Sequence, residues 1–168
     1  MSGVIFSFFV MDHVRLDSLL HRSVERPGAV VRASFDSFRV GLFRHIELEE
    51  QLLLASAQQA NGGQPLEVAA RLKLEHSAIR AVLLLKPTRE SVAQLRALAV
   101  RHNPLEENPS GLYDLCDQLL ADQAEAVLAR ARTYPNPAVA PYRDDPQAIG
   151  DVKEALAALD RPENLLRR

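Results

Sequence analysis

The strongest constraint on the fold is the long segment from Arg32 to about Ala60, in which apolar residues recur at alternating steps of three and four. This spacing places them on one face and predicts a single long α-helix. Asn61-Gly62-Gly63 then ends the helix, because glycine adopts the left-handed cap conformation easily. The stripe consists of Phe35, Phe38, Leu42, His45, Ile46, Glu49, Leu52 and Leu53. Two ionisable residues, His45 and Glu49, therefore fall on the face expected to pack into the core.

Three other segments carry the same periodicity. A first helix is predicted from Asp12 to about Val24, after an apolar lead-in from Val4 to Met11. A third helix opens with Pro65 and closes at Lys86-Pro87, and Thr88 caps a fourth. Each of the four predicted helices brings a histidine to its apolar face: His13, His45, His76 and His102. The sequence therefore predicts an all-α bundle.

The C-terminal part of the chain is less regular. Asn108-Pro109-Ser110-Gly111 is a breaker cluster, and helical periodicity resumes from Leu112 to about Arg132, as a continuation of the fourth helix after a kink or turn. A proline-rich connector follows, and Asp145-Pro146 starts a short helix to about Asp160. We therefore expect a helical domain at residues 1–134 and, at residues 135–168, an extension made of the connector and the short helix.

Composition excludes several classes of partner. The formal net charge is −2, aromatic residues make up 5% of the chain, and basic residues are scattered among acidic ones, so no nucleic-acid partner is expected. The apolar stretch from Val4 to Met11 lacks a signal-peptide cleavage site and is too short to span a bilayer, so no membrane partner is expected. Cys116, the single cysteine, cannot form an internal disulfide and is expected to be a packed helix residue in a reducing, cytoplasmic compartment.

Histidine followed four residues later by glutamate occurs more often than chance predicts. Five histidines and twelve glutamates predict about 0.36 such pairs, and three occur. Pairs at this spacing also form ordinary hydrogen bonds on helix surfaces. We assign that ordinary role to His21 and Glu25, which lie at the end of the first helix and to the side of its stripe.

The remaining ionisable residues favour a metal site. Taken singly, each histidine would more often be a hydrogen-bonded core residue than a ligand. Four histidines and two carboxylates facing one core are difficult to explain by packing alone. Imidazole and carboxylate ligands suit iron, manganese or zinc, and carboxylates suit bridging between two ions. The predicted ligands are His13, His45, Glu49, His76, His102 and Glu106.

Over roughly residues 10 to 120 the chain resembles the hemerythrin-like proteins with an HHE cation-binding domain. Four motifs in order carry the resemblance: Asp12-His13 with Leu16-Asp17, His45-Ile46-Glu47-Leu48-Glu49-Glu50, Glu75-His76 with Ile79, and His102-Asn103-Pro104-Leu105-Glu106-Glu107. The resemblance implies an antiparallel up-down four-helix bundle that holds a non-heme di-iron centre, with an oxo or hydroxo bridge between the ions as one form. It also implies one iron on His13 and His45, the other on His76 and His102, and bridging by Glu49 and Glu106.

The chain departs from the oxygen-carrying members of that family at two places. Leu72 stands where those members have a further histidine, one turn before His76, so one iron would have fewer protein ligands. Pro104 interrupts the last motif and leaves open whether Glu106 or Glu107 is the second bridge. Residues beyond Tyr134 have no counterpart in the resemblance.

Three classes of function follow from these observations. The leading one is a non-heme di-iron protein that binds or senses O2, NO or peroxide, or reports iron or redox state. The second is a peroxide-consuming di-iron enzyme, and the third is a metal-free helical module that binds other proteins through partners the sequence does not identify. Leu72 favours reaction with oxygen over reversible oxygen carriage, since a metal with fewer protein ligands has more open positions.

Overall fold

Helices form all the regular secondary structure that the computed structural model describes. It covers residues 3–161 and residue 164, and contains no β-strand within them. Nine segments are α-helical: α1 (Val4–Arg22), α2 (Arg32–Glu47), α3 (Leu54–Ala60), α4 (Ala69–Leu84), α5 (Arg89–His102), α6 (Pro104–Glu107), α7 (Leu112–Leu119), α8 (Ala124–Arg132) and α9 (Pro146–Leu159). A π-helical segment, Leu48–Leu53, joins α2 to α3. The predicted all-α class is confirmed.

The first helix starts earlier than predicted. Residues 4–11 were expected to lead into the helix, but they form its first turns. The carboxylate of Asp117 in α7 accepts hydrogen bonds from the backbone N–H groups of Ile5 (2.9 Å) and Phe6 (3.0 Å), which have no partner within the helix. Ile5 and Phe9 are fully buried. The N-terminal turns of α1 are therefore stabilised by contacts from a segment more than 100 residues away along the chain.

The segment predicted as one helix from Arg32 to Ala60 is helical throughout, but it is not uniform. The π-helical segment interrupts the α-helical geometry at Leu48–Leu53. Gly62 and Gly63 then adopt positive φ angles of 67° and 85°, as the prediction of a glycine cap requires. The extent and end of this helical segment are therefore as predicted, whereas its widened turn was not predicted.

Two helix boundaries agree with capping signals in the sequence. Thr88 accepts a hydrogen bond from the Ser91 N–H, and the Ser91 side chain accepts one from the Thr88 N–H, which is a reciprocal cap for α5. The carboxylate of Asp145 accepts from the Ala148 N–H and caps α9. Short polar side chains before a helix therefore located both starts.

Two other boundaries differ from the prediction. The third helix begins at Ala69 rather than at Pro65, because a turn at Leu66 comes first and Leu66 is itself buried in the core. The segment from Leu112 to Arg132 was predicted as one helix but is divided at residues 120–123. Leu120 is fully buried and Ala124 nearly so, and we attribute the break to this packing, since no Gly or Pro marks it in the sequence.

The apolar core consists of two clusters. The first core cluster includes Ile5, Phe9, Leu48, Leu52, Leu72, Leu112, Tyr113 and Cys116, and the second includes Leu16, Leu20, Phe38, Ile46, Ile79, Leu83, Val92 and Leu95. His13 lies in α1 between residues of the two clusters, and the other predicted ligands occupy equivalent places on their own helices. The chain crosses the junction between the two clusters four times, alternately towards the second cluster and back towards the first. We call the six predicted ligands at the junction the polar layer.

The C-terminal helix packs against α4. Arg71 in α4 donates hydrogen bonds to the backbone carbonyls of Leu159 (3.3 Å) and Asn164 (2.8 Å), and Val152 is buried in the second core cluster. Arg39 in α2 donates to the carbonyl of Ala140 in the connector. The described residues beyond 135 are thus attached to the helices that carry the polar layer.

Two smaller expectations concern Cys116 and the membrane. Cys116 is fully buried in the first core cluster, and burial with the nearby carboxylates raises its pKa to about 12, so it is a packed thiol as expected. Among the helices described, none combines the length and apolar character required to cross a bilayer.

Candidate metal centre

The structure brings all six predicted ligands together in the polar layer. They form two groups that share both glutamates: one consists of His13, His45, Glu49 and Glu106, and the other of Glu49, His76, His102 and Glu106. In each group one candidate ligand atom per residue lies within 4.8 Å of all the others. The histidine pairs are those that the family resemblance implied. Glu49, His76 and Glu106 have no solvent exposure, and His45 and His102 are also buried.

Both histidine pairs meet through their Nε2 atoms. The Nε2 atoms of His13 and His45 are 2.9 Å apart, and those of His76 and His102 are 3.1 Å apart. Metal bonds of about 2.0–2.2 Å place neighbouring ligand atoms roughly 3.0–3.4 Å apart. The spacing within each pair is therefore close to that of two imidazoles on one ion.

Each glutamate presents a different oxygen to each group. Glu49 Oε1 lies 3.3 Å from His45 Nε2, and Glu49 Oε2 lies 3.3 Å from His76 Nε2. Glu106 Oε2 lies 3.4 Å from His13 Nε2, and Glu106 Oε1 lies 2.8 Å from His102 Nε2. Each of the two glutamates therefore has one oxygen beside each histidine pair.

Hydrogen bonding leaves part of the two glutamates unsatisfied. Among the described residues, Glu49 Oε2 and Glu106 Oε1 are buried oxygens without a hydrogen-bond partner. The nearest histidine nitrogens are His76 Nε2, 3.3 Å from Glu49 Oε2, and His102 Nε2, 2.8 Å from Glu106 Oε1. Buried carboxylate oxygens without a donor are costly, and a cation would remove that cost. The six residues therefore have the ligand chemistry of a site for metal ions.

The Nδ1 atom of every histidine in the polar layer lies against a second carboxylate. The four pairs are His13 with Glu107 (2.5 Å), His45 with Asp12 (2.9 Å), His76 with Glu50 (2.9 Å) and His102 with Glu75 (3.1 Å). When Nδ1–H donates to a carboxylate, Nε2 is left with a lone pair directed at the centre. Such partners orient imidazole ligands and raise their basicity in metal proteins.

Arginines support three of these outer carboxylates. Arg15 donates to Asp12 (2.7 Å), Arg80 donates to Glu50 (2.9 and 3.1 Å), and Arg71 donates to Glu75 (2.7 Å). The Arg71–Glu75 pair is buried, and Arg71 also binds the carbonyl groups at the end of α9. The C-terminal extension is therefore linked through Arg71 and Glu75 to His102.

The carboxylates around the polar-layer histidines raise the pKa of three of them. Burial alone would lower the pKa of His45, but Glu49 and Asp12 outweigh it and raise the pKa to about 10. Against the same effect of burial, Glu106, Glu49 and Glu50 raise the pKa of His76 to about 11. Glu106 and Glu75 raise the pKa of His102 to about 9. The histidines in turn hold the pKa of Glu49 well below its usual range, against the effect of burial. In the metal-free chain, protons on these histidines balance the negative charge of the glutamates, as metal cations would.

Tyr113 is a polar-layer neighbour that the sequence did not identify. Its hydroxyl donates to Glu49 Oε1 at 2.5 Å and lies 3.2 Å from Glu106 Oε2. It is also 3.3 Å from His13 Nε2 and 3.4 Å from His45 Nε2. Among the residues that the structure describes, the first group alone has a phenol oxygen as an additional neighbour. No spacing rule could locate Tyr113, because the turn at residues 108–111 separates it from α6.

The structure also distinguishes residues that the sequence left ambiguous. Glu106 is fully buried and belongs to both ligand groups, whereas the Glu107 side chain is partly exposed and lies behind His13. Pro104 starts the short helix α6 without removing Glu106 from reach of His102. His21 and Glu25 are exposed and lie outside both groups. The expected hydrogen bond between them is not present among the described residues, and His21 Nδ1 lies 3.3 Å from Arg96 Nη2 instead.

The π-helical segment positions two consecutive glutamates. Glu49 reaches the centre between His45 and His76, while Glu50 reaches the outer nitrogen of His76. In a regular helix, adjacent side chains diverge strongly around the axis. Widened turns of this type occur often at functional sites. Here two consecutive residues of the widened turn, Glu49 and Glu50, both contact His76.

The chain was compared with protein-family models, with curated proteins and with solved structures, and no match was found in any of the three.

Proposed function

We propose that the polar layer is a metal centre for two ions, with iron as the preferred metal, and that the protein binds or senses O2, NO or peroxide there. The ligands would be His13, His45, Glu49, His76, His102 and Glu106. This proposal includes the hemerythrin-like fold, an antiparallel up-down four-helix bundle. The alternating passes of the chain through the polar layer support that architecture.

The observation that carries the proposal is the orientation of the two buried glutamates. One oxygen of each faces the pair His13 and His45, and the other oxygen faces the pair His76 and His102. A single ion would leave one pair of imidazoles and two carboxylate oxygens without a function. Two ions would use all four imidazoles and all four carboxylate oxygens.

Iron is favoured by the mixture of ligands. Imidazole nitrogen suits iron, zinc and copper, while carboxylate oxygen suits harder ions such as manganese, and iron accepts both. Zinc and manganese remain alternatives with the same ligands. Iron would supply reversible one-electron chemistry and affinity for O2, NO and peroxide.

The chain contributes orientation, exclusion of water and control of access. The outer carboxylates and arginines orient the imidazole rings, and the two core clusters enclose Glu49, His76 and Glu106, which have no solvent exposure. The second group contains two imidazoles and two carboxylate oxygens, with Leu72 rather than a ligand one turn before His76. The ion there would have the more open position for a small ligand.

Ligand binding to iron-loaded protein tests the function. The reduced protein should bind one equivalent of NO per chain, with a change in its visible and electron paramagnetic resonance spectra. The variant His76→Ala should lose this response, whereas His21→Ala should keep it, since His21 is exposed and outside both groups. Iron-loaded protein whose spectra do not respond to NO, O2 or peroxide would overturn the assignment.

A second candidate function is peroxide consumption. It is favoured by the asymmetry between the two groups, since Tyr113 adjoins only the first. Steady-state kinetics distinguishes it from binding: an enzyme would consume many equivalents of peroxide per chain, and a sensor would respond to about one. In the third alternative, a metal-free interaction module, iron-replete protein would contain no metal.

A further inference from the structure

A cavity of about 750 Å³ opens beside the polar layer between α1, α2 and α5. His13, His45 and His102 line it, so one part of the cavity adjoins the candidate metal centre. Its volume lies in the range of about 300–1,000 Å³ that is typical of small-molecule sites in proteins. O2, NO and peroxide are far smaller than this space, and none of them accounts for its size.

The walls of the cavity are mainly apolar. They include Leu16, Leu20, Phe38, Ile46, Ile79 and Leu95, all of which belong to the second core cluster. A flexible alkyl chain would bury its surface against such walls, which is favourable in proportion to the area removed from water.

Polar groups away from the centre make the cavity amphipathic. Arg96 and His21 both line it, and Arg96 Nη2 lies 3.3 Å from His21 Nδ1. Along α1, His21 is eight residues from His13, which corresponds to about 12 Å. Along α5, Arg96 is six residues from His102, or about 9 Å. The cavity therefore joins the polar layer to a separate cationic group.

Arg96 has unused hydrogen-bonding capacity. Its Nε atom is buried and has no hydrogen-bond partner among the described residues. The other arginines near the core are engaged, as in Arg71 with Glu75 and Arg39 with the carbonyls of Leu83 and Ala140. A guanidinium group can bind a carboxylate through two parallel hydrogen bonds, and because its Nε atom is closed to solvent, the Arg96 side chain would have to turn towards the cavity to use it.

The acidic residues of the cavity leave Arg96 available. Two carboxylates line the cavity, Asp17 and Glu107. Asp17 is exposed to solvent, and no ion pair between it and Arg96 is present in the described part of the chain. Glu107 is already paired with His13. Arg96 is the cation among the residues that line the cavity, and no carboxylate of the cavity is paired with it in the described part of the chain.

We propose that this cavity binds an amphiphilic monocarboxylate, with the carboxylate on Arg96 and the alkyl chain along the apolar walls towards the histidines. The site consists of Arg96 and the walls formed by α1, α2 and α5. Binding needs no metal, because neither Arg96 nor the apolar wall residues belong to the ligand groups. The bound chain would lie beside the polar layer and would occupy the route to it from this side.

Calorimetric titration of the metal-free protein with decanoate tests the site. One decanoate should bind per chain. Decanol, which lacks the charge, should bind at least tenfold more weakly, because an ionic hydrogen bond to Arg96 is lost. Hexanoate keeps the carboxylate but shortens the chain, and should also bind at least tenfold more weakly. Equal affinity for decanoate and decanol would overturn the role of Arg96, and equal affinity for decanoate and hexanoate would overturn the role of the walls.

Matched variants locate the binding. Arg96→Gln should weaken decanoate binding at least tenfold, whereas Arg22→Gln should leave it unchanged, since Arg22 is exposed on α1 and does not line the cavity. Ala99→Leu adds bulk to a lining residue and should also weaken binding. Circular dichroism checks that each variant is folded. Unchanged decanoate binding in folded Arg96→Gln would show that the carboxylate binds elsewhere, for example on the histidines, and would refute the proposal.

Repeating the titration on protein whose metal content is known separates this proposal from the metal centre. Decanoate binding to a chain that takes up no metal would support the cavity site and contradict the di-metal centre. If a chain that takes up two ions fails to bind decanoate both with and without those ions, the result would support the di-metal centre and contradict the cavity site.

Discussion

Tyr113 donates a 2.5 Å hydrogen bond to Glu49 Oε1, and this contact makes the two halves of the polar layer unequal. Glu49 Oε1 faces His45, so the phenol adjoins the group that contains His13 and His45. Burial and the two glutamates raise the pKa of Tyr113 well above its usual range in the described chain, so its hydroxyl keeps its proton. A metal ion in this group would favour the opposite state, because a cation stabilises the phenolate.

The first prediction concerns the colour of the iron-loaded, oxidised protein. A phenolate bound to ferric iron absorbs visible light by charge transfer, and we expect such a band from Tyr113. Tyr113→Phe should abolish the band, while Tyr142→Phe should retain it, since Tyr142 packs against Arg39 and binds Asp36 outside the polar layer. Absorption spectra of the three proteins at equal iron content check this. A band unchanged in Tyr113→Phe would show that Tyr113 is not a ligand.

The second prediction concerns Glu49 as a bridge. Glu49→Ala removes one oxygen from each ligand group, so the protein should retain less than half of its metal. Glu47→Ala is a suitable control, because Glu47 lies two residues away and belongs to neither group. Metal analysis after identical purification compares them. If Glu49→Ala keeps the metal content of the unmodified protein, Glu49 does not bridge two ions.

The third prediction concerns Leu72. The reduced, iron-loaded protein should oxidise in air rather than carry oxygen reversibly, because the ion near His76 and His102 has few protein ligands. Leu72 is fully buried one turn before His76, and Leu72→His should slow this oxidation several-fold if the new imidazole binds the ion. Stopped-flow spectroscopy in air-saturated buffer measures the rate. Many reversible cycles of oxygenation in the unmodified protein would place it among oxygen carriers instead.

The fourth prediction concerns the stability of the metal-free protein. In the folded chain the pKa values of His45, His76 and His102 are raised to about 10, 11 and 9, from an unfolded value of about 6.5. Their protonation therefore stabilises the fold fully below about pH 6.5, and this contribution is lost as pH rises towards 9–11. The melting temperature of the metal-free protein should fall between pH 7 and about pH 9.5.

Calorimetry of two further samples controls for other effects of high pH. The metal-loaded protein should show a smaller fall, because its histidines bind the ions in neutral form. The variant His21→Asn should show the same fall as the unmodified metal-free protein, since His21 is exposed. A metal-free protein whose melting temperature is constant or rises over this pH interval would contradict the prediction.

The sequence located the helices and the polar layer where local signals are strong. Regular apolar spacing identified the helical segments, and Thr88, Asp145 and the glycines after Ala60 identified helix ends. Histidine and glutamate at a spacing of four residues on an apolar face identified the pairs His45 with Glu49 and His102 with Glu106. These features depend on residues close together in the chain, so a periodic pattern reveals them.

The features that were missed depend on contacts between distant segments. The start of α1 is stabilised by Asp117, and Tyr113 reaches Glu49 from 64 residues away. The outer carboxylates of His13, His45, His76 and His102 come from other helices. The cavity and the unused hydrogen-bonding group of Arg96 exist only once α1, α2 and α5 are packed together. No local pattern in the sequence records these relationships.

The central claim is that the polar layer holds two metal ions, and elemental analysis tests it most directly. Protein produced in iron-replete medium and purified without chelators should contain close to two metal ions per chain, mainly iron, because Glu49 and Glu106 each present an oxygen to both histidine pairs. Less than half a metal ion per chain would contradict the claim.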